Sequence, residues 1–259
     1  MDIEHPFVLA HYRLKTPDIT RLIKQIKFWT FASIKGAMIT GEKRVGKSYA
    51  IEFLMENIDK VVGRQCYCFS VEWKKQLHFN DKKFWTRLLK GTGFDTTLPG
   101  DGDRLEDRFY ERVTLRTEDT GLPVCFMFID ESQNITPTEF IQLCHAFNEL
   151  EKRKIRLYTL LVGQYELTDM KTLMREANCG QVIARFMEHT FEMRGITSAR
   201  TLKSLLTQID KAGYTKDAAP ESVAAGFKLS DIAATLWKAK GAVDTDYSRP
   251  CNTPWTMQR

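Results

Sequence analysis

The sequence lacks the features that mark membrane-spanning, secreted and disulfide-rich proteins. None of its apolar runs approaches the roughly 18 residues that a membrane-spanning helix needs. Residues 1–5 lack the basic and apolar regions of a signal peptide. Cysteine is sparse, with 6 in 259 residues, and most lie within apolar runs. Buried, reduced thiols are typical of this pattern. We therefore expect a cytoplasmic protein with no membrane span.

A strong charge of one sign is also missing. The chain has 38 Lys and Arg against 33 Asp and Glu, a formal net charge of +5. This mild excess permits a nucleic-acid partner without requiring one. With 43% hydrophobic and 27% charged residues, the composition is that of an ordinary globular protein. The length suits one α/β domain with a small appendage.

The chain does contain a regular alternation of apolar strands and amphipathic helices. Apolar runs predict five strands, at residues 37–40, 65–72, 124–129, 157–162 and 189–193. Thr16 and Pro17 predict a helix start, and further helices are expected near 84–89 and over 104–118 and 137–152. Strands that are apolar on both faces and alternate with helices are typical of α/β proteins. They form a parallel sheet covered on both sides.

One eight-residue segment carries a specific chemical signal. Residues 41–48 match the phosphate-binding pattern Gly-x-x-x-x-Gly-Lys-Ser, between an apolar strand and an amphipathic helix. The glycines let backbone N–H groups turn toward phosphate oxygens, and the helix presents its positive end. Lys47 would reach the β- and γ-phosphates, and the Ser48 hydroxyl would ligate Mg²⁺. We expect ATP·Mg²⁺ to be bound by Gly41, Glu42, Arg44, Val45, Gly46, Lys47, Ser48, Tyr49 and Asp130.

Acidic and amide residues follow two other predicted strands. Asp130 and Glu131 end the strand 124–129, where a carboxylate can hold Mg²⁺ together with Ser48 and the next can polarise the attacking water. The alternative is a strand that simply exits into an acidic turn. Gln164 follows the fourth strand, which we expect to lie between the other two. We predict that Gln164 contacts the γ-phosphate or the water, with a solvated glutamine after a glycine turn as the alternative.

These motifs, in this order, resemble those of a known family. The phosphate loop is followed by Ile129-Asp130-Glu131, Val162-Gly163-Gln164 and the segment 181–186. Together they are similar to the AAA+ regulators of DNA transposition, the TniB/TnsC group. The bacteriophage Mu target-DNA ATPase is a more distant relative. The resemblance extends over roughly residues 20–195.

The resemblance implies an AAA+ P-loop fold with a parallel five-stranded sheet in the order 5-1-4-3-2, flanked by helices, and a short helical C-terminal part. It implies a ring or helical filament that assembles with ATP on duplex DNA and links a target-selector protein to the transposase. Arg185 matches the arginine finger, although an ordinary surface arginine is the alternative. No clear sensor-two arginine follows residue 195. The implied regions are an arm and helix (1–35), the AAA+ core (36–195), a short lid-like segment (196–240) and a flexible tail (241–259).

A basic stretch follows the second predicted strand. Lys74, Lys75, Lys82 and Lys83, with Arg87 and Lys90 nearby, are opposed only by Asp81. Interleaved aromatic residues would anchor this stretch, which matches the region that faces DNA in the family. Lysines of this kind suit phosphate contacts that position a protein on DNA without reading sequence. A solvated basic face is the alternative.

Two other functional classes remain open at this level. One is a P-loop phosphotransferase with a small-molecule acceptor. The other is a signalling or defence ATPase that assembles with a protein partner. Aromatic residues in the last segment, among them Tyr247 and Trp255, also fit a short docking peptide. An unstructured end fits that segment equally well.

Overall fold

The computed structural model describes residues 14–76, 78–94, 101–211 and 228–246. Most of the predicted N-terminal arm and residues 247–259 of the predicted tail, with its docking aromatics, lie outside these ranges, whereas residues 241–246 of that tail are helical. The strands are β1 (Gly36–Thr40), β2 (Tyr67–Glu72), β3 (Val124–Asp130), β4 (Arg156–Gly163) and β5 (His189–Glu192). The helices are α1 (Pro17–Phe31), α2 (Lys47–Val62), α3 (Asp81–Gly91), α4 (Gly102–Asp119), α5 (Pro137–Lys152), α6 (Glu166–Glu176), α7 (Gly180–Val182), α8 (Ala199–Lys211) and α9 (Ala233–Asp246).

All five strands form one parallel sheet in the order β2-β3-β4-β1-β5. Counted from the other edge this is 5-1-4-3-2, so the predicted fold and strand order are confirmed. Strand β4 lies between β1 and β3, with Thr40 paired to Gly163 and Ile129 to Leu161. Because parallel strands end at the same edge of a sheet, the segments after β1, β3 and β4 emerge together.

Local sequence explains where several helices begin. Thr16 accepts a hydrogen bond from the N–H of Ile19 at the start of α1, as the N-cap pattern predicts. Thr136 and Glu139 form a reciprocal capping box at the start of α5. The predicted strand and helix positions agree with the structure to within two or three residues. Helix α6 was not predicted, because its apolar positions are few and the segment is largely polar.

The chain divides into two compact units. The larger unit comprises Leu22–Glu42 and Lys47–Met193 and contains the sheet. Its main buried cluster joins side chains of α3, α4 and α5 to those of the sheet. Aromatic residues are among the largest side chains of that cluster, including Phe69, Trp73, Phe84, Trp85, Phe109 and Phe140. These residues each bury a large apolar area, so this side of the sheet is firmly packed.

The smaller unit comprises the described residues of Met1–Arg21, Lys43–Gly46 and Arg194–Arg259. Its apolar cluster joins Leu202 and Leu205 of α8 to Ile196 and Ala233. The buried Asp18 carboxylate accepts hydrogen bonds from the N–H groups of Arg194 and Gly195, at 2.8 and 2.7 Å. Donors of this kind satisfy a buried carboxylate, which explains an otherwise costly acidic residue in the interior.

The described cysteines carry free thiols. Burial raises the pKa of Cys66 to about 12 and that of Cys68 to about 11. Burial therefore favours the protonated thiol at both positions, and each thiol has a polar partner, Asp59 for Cys66 and the Met55 carbonyl for Cys68. Within the described ranges, no helix is long and apolar enough to span a bilayer.

Candidate functional site

The loop between β1 and α2 has the backbone of a phosphate-binding turn. Arg44 and Gly46 both adopt left-handed backbone conformations, with φ of 61° and 94°. A side chain at Gly46 would be strained by this φ, which explains the second glycine of the motif. Helix α2 begins at Lys47, directly after the loop. The free N–H groups of its first turn and its macrodipole favour an anion at this end of the helix.

Lys47 is buried beside this loop. Its Nζ donates to the carbonyl oxygens of Gly41 and Glu42, at 2.9 and 2.7 Å. Burial lowers the pKa of Lys47, whereas the carboxylates of Glu131 and Asp130 act to raise it. A desolvated ammonium group next to carboxylates is a poorly hydrated cation, and phosphate oxygens would bind it strongly. The position fits the predicted role.

Ser48 and Asp130 are 82 residues apart in the chain and come together at the edge of the sheet where β1 and β3 end. The Ser48 hydroxyl, at the start of α2, donates to Asp130 Oδ2, at the end of β3, at 2.6 Å. The other carboxylate oxygen accepts from the N–H of Glu131 at 2.9 Å. Burial raises the pKa of Asp130, and the two hydrogen bonds oppose that shift. A hydroxyl and a carboxylate within hydrogen-bonding distance are hard oxygen donors, which is the ligand set that Mg²⁺ prefers.

The turn after β3 is held by hydrogen bonds to β3 and to the segment after β2. Glu131 adopts a left-handed conformation with φ of 54°, and a short 3₁₀ turn follows at Ser132–Asn134. The Ser132 hydroxyl donates to the carbonyl of Ile129, and the Asn134 amide donates to the carbonyl of Trp73 beyond β2. A non-glycine residue at positive φ is held only by strong surroundings. The predicted base, Glu131, is therefore a half-buried residue on a rigid turn.

Gln164 lies at the end of β4, at the same edge of the sheet as Asp130 and Glu131. Its backbone N–H donates to the side-chain oxygen of Gln133 at 3.1 Å. Gln133 in turn donates to Glu131 Oε2 at 2.5 Å. The predicted sensor and the predicted base are therefore linked through one side chain. Sequence reasoning missed Gln133, although the unbroken polar run from Asp130 to Asn134 after an apolar strand was a usable signal.

Arg185 lies in a π-helical turn, Ile183–Met187, just before β5. Its guanidinium donates to Asn148 Oδ1 of α5 at 2.7 Å and lies 5.7 Å from the centre of the Phe147 ring. Single π-helical turns within helices are often found at functional sites. The backbone of Arg185 packs against Gly36, the first residue of β1. The phosphate loop follows the last residue of β1, so the two features lie at opposite ends of that strand.

The four predicted DNA-contacting lysines are all exposed. Lys74 and Lys75 follow β2, and Lys82 and Lys83 lie in the first turn of α3. The aromatic residues between them, Trp73, Phe84 and Trp85, are buried and anchor the segment.

Arg87 does not belong to this exposed basic surface. It is a half-buried residue that pairs with the buried Glu139 at 3.5 Å, and it lies 4.6 Å from the centre of the Trp73 ring. Burial lowers its pKa, and Glu139 opposes that shift. Its role in the structure is to satisfy a buried carboxylate, which spacing along the chain could not reveal.

Comparison with known proteins gives one family match. The family model described as "AAA domain" matches residues 35–170. No curated protein matches the sequence. Among solved structures, the ADP form of the ORC2 protein of Aeropyrum pernix shares 16% identity with a TM-score of 0.55, over 78% of this chain and 53% of that one. The same protein in its ADPNP-ADP complexes shares 17% identity with a TM-score of 0.50, over 77% and 52%. The chain thus spans about half the length of these structures, and the likeness concerns the fold.

Proposed function

The chain belongs to the AAA domain family, and we propose that it is an ATPase that assembles on duplex DNA and regulates transposition. In this proposal it connects target selection to a transposase, as the TniB/TnsC group does. The contact between Ser48 and Asp130 is the observation that carries the nucleotide part. It joins the helix after the phosphate loop to the acidic end of β3, which is where a nucleotide-bound Mg²⁺ would be needed.

Each residue of the site has a proposed task. Lys47 and the N–H groups of the phosphate loop and the first turn of α2 hold the phosphates. Ser48 and Asp130 hold Mg²⁺, which when bound neutralises phosphate charge. Glu131 accepts a proton from the attacking water, and Gln164 orients the water or the γ-phosphate. The oxygen donors of Ser48 and Asp130 and the buried ammonium of Lys47 support this assignment.

DNA binding rests on the exposed lysines. Lys82 and Lys83 occupy the first turn of α3, where the helix macrodipole disfavours positive side chains. Exposed cations at the positive end of a helix are stabilised when phosphate groups lie against them. Together with Lys74 and Lys75 they provide four exposed positive charges on one short stretch of chain. This supports contact with a phosphate backbone rather than recognition of a base sequence.

The transposition proposal is supported by the order of the four motifs and by their resemblance to the TniB/TnsC group. The ORC2 protein, which shares the fold, was solved with adenine nucleotides bound. That supports an adenine nucleotide as the ligand of this chain also.

ATPase measurements and electron microscopy, each with and without duplex DNA, test the proposal. We expect DNA to stimulate hydrolysis and filaments or rings to form on DNA with ATP. Glu131→Gln should retain nucleotide and trap the assembled form, while Lys47→Ala should neither bind nor assemble. Assembly to the same extent with and without DNA would instead favour an ATPase that acts with a protein partner. Phosphate transfer to a small acceptor, without release of free phosphate, would favour a phosphotransferase.

Regulation of transposition requires a separate measurement. A strand-transfer assay with the cognate transposase should depend on the wild-type chain and on ATP. Lys47→Ala should not replace the wild-type protein in that assay. If DNA stimulates hydrolysis but the protein has no effect on strand transfer, the proposed ATPase activity stands and the proposed role in transposition is wrong.

A further inference from the structure

The side chain of Gln133 joins two segments of the candidate site that are distant in sequence. Its Nε2 donates to Glu131 Oε2 at 2.5 Å, and its Oε1 accepts from the N–H of Gln164 at 3.1 Å. Gln164 is 31 residues away in the chain. One amide therefore contacts the proposed base at the end of β3 and the backbone at the end of β4.

The chemistry of the two partners fixes the orientation of this amide. A backbone N–H can only donate, so the atom of Gln133 that faces Gln164 must be the oxygen. The NH₂ group then faces Glu131, whose ionised carboxylate can only accept. Both ends of the amide are satisfied in this orientation, and the reverse orientation would leave both contacts repulsive. Gln133 is therefore a hydrogen-bond donor to the proposed base.

Gly163 leaves room for this arrangement. A Cβ atom added to Gly163 would lie 2.6 Å from the side-chain oxygen of Gln133 and 3.4 Å from its backbone nitrogen. The first distance is too short for two atoms that are not bonded. The last residue of β4 must therefore lack a side chain for the amide to reach the backbone of Gln164.

The turn itself does not depend on Gln133. Ser132 bonds back to Ile129 of β3 at 2.6 Å, and Asn134 bonds to Trp73 at 3.0 Å. These two bonds hold the turn on the side of β3 and on the side of β2. The Gln133 side chain adds a third connection, which runs through the carboxylate of Glu131. Its position points to a role in that carboxylate's orientation.

We propose that Gln133 is a positioning residue for ATP hydrolysis, which holds the Glu131 carboxylate through Oε2 and couples its orientation to the end of β4. Oε1 of Glu131 is then the oxygen that accepts the proton from water. A displacement of Gln164 by the γ-phosphate would be transmitted to Glu131 through the same amide. This inference rests on the proposed ATPase function and on Glu131 as its base.

Two substitutions separate the two bonds of Gln133. Gln133→Glu keeps an oxygen for the N–H of Gln164 but, when ionised, cannot donate to Glu131. Gln133→Met has a similar length and makes neither bond. We expect both variants to lower kcat about tenfold or more, as a part of the roughly 10²–10⁴-fold that general-base catalysis contributes. The KM for ATP and the nucleotide Kd should stay within about twofold, because Gln133 contacts neither Lys47 nor Ser48 in this proposal.

The control variant is Gln25→Glu, which makes the same charge change in a half-buried glutamine of α1. It should leave kcat unchanged. Thermal unfolding and nucleotide binding of each variant show whether the fold and the phosphate site are retained. If Gln133→Glu fails to fold, Gln133→Met still removes the donor without adding a charge.

A double-variant comparison shows whether Gln133 acts through Glu131. In single-turnover measurements, Glu131→Gln and the double variant Glu131→Gln with Gln133→Met should hydrolyse ATP at the same residual rate. Wild-type kcat in both Gln133 variants, or a defect that adds in full to that of Glu131→Gln, would overturn this inference alone. A wild-type protein that hydrolyses no ATP, with or without DNA, would overturn the proposed function, and this inference with it.

Discussion

The carbonyl oxygen of Arg185 lies so close to Gly36 that a Cβ atom on that glycine would be 1.7 Å from it. Gly36 is the first residue of β1, and the phosphate loop begins after Thr40. At the usual rise of a strand, four residues separate these points by about 13 Å. The guanidinium of Arg185 is held on Asn148 of α5. This relationship supports the idea that Arg185 serves the nucleotide of a neighbouring subunit.

Replacing Arg185 should therefore affect hydrolysis much more than binding. We predict that Arg185→Ala lowers the DNA-stimulated kcat by about 10³-fold, because an arginine finger stabilises charge that develops in the transition state. The Kd for ATP of the unassembled protein should not change. Steady-state ATPase assays and nucleotide titrations measure the two quantities. Arg175→Ala, at an exposed arginine of α6, is the control and should retain full activity.

Mixing two inactive variants tests whether Arg185 acts between subunits. Glu131→Gln lacks the proposed base but assembles and keeps Arg185, and Arg185→Ala has the reverse defect. If the arginine acts between subunits, mixed assemblies should contain some complete sites and recover part of the activity. Mixtures that remain as inactive as the separate variants would contradict this role.

The buried carboxylate of Asp130 should cost the nucleotide-free protein stability. Burial raises its pKa above the unfolded value, so the folded state holds its proton more tightly than the unfolded state. The contribution of Asp130 to the free energy of unfolding therefore decreases as the pH rises through the pKa that Asp130 has in the folded state. We predict that Asp130→Asn raises the Tm of the nucleotide-free protein at pH 7. A gain of about 1 kcal/mol corresponds to roughly 2–4 °C for a chain of this size.

Asp130→Asn should also abolish the Mg²⁺-dependent part of the stabilisation by ATP. A ligand raises the Tm only if it binds the folded protein, and this variant lacks the proposed Mg²⁺ ligand. Differential scanning calorimetry with and without ATP and Mg²⁺ measures both effects. Asp119→Asn, at an exposed carboxylate of α4, is the control and should shift neither. A lower Tm for the nucleotide-free Asp130→Asn protein would show that its ionised carboxylate stabilises the fold.

Removing the exposed lysines should weaken binding to duplex DNA of any sequence. We predict that replacing Lys74, Lys75, Lys82 and Lys83 by Ala lowers the slope of log Kd against log salt concentration. The slope should fall by about 0.9 for each DNA phosphate that no longer pairs with a lysine. Fluorescence anisotropy over a range of salt concentrations gives this slope. Replacing Lys24 and Lys27, two exposed lysines of α1, provides the control.

Arg87→Ala should behave differently from the lysine variants. It leaves the buried Glu139 without its ion-pair partner, which typically costs about 3 kcal/mol or more. We expect a lower urea midpoint for this variant. If the lysine variants bind DNA as tightly as wild type, the DNA-contact hypothesis is wrong and this stretch is a solvated basic face.

Much of the fold could be predicted because its signals are local. Apolar runs marked the five strands, and the cap at Thr16 marked the first helix. The strand order followed once the motifs were recognised. Helix α6 was missed although Leu167, Met170 and Met174 recur at helical spacing, because the segment is short and only Leu167 and Met174 are buried.

The site was predictable to the extent that its chemistry lies in short segments. The positions of Lys47, Ser48, Asp130 and Glu131 were read from motifs. The contacts that connect them were not, because the hydrogen bond from Ser48 to Asp130 joins residues 82 apart. Arg87 shows the same limit, since only packing distinguishes a buried arginine from a surface one of identical sequence context.

The sequence by itself determined the phosphate loop and the acidic strand end, because the spacing of a few residues dictates both backbone path and chemistry. Only the tertiary structure decided which contacts Gln133, Gln164 and Arg185 make. Strand β4 lies between β1 and β3, so Gln133 meets Gln164 across adjacent strand ends. Arg185 is carried to the far end of β1 by the turn before β5. These contacts depend on how side chains from separate segments pack at adjacent strand ends, and that is a property of the packed sheet.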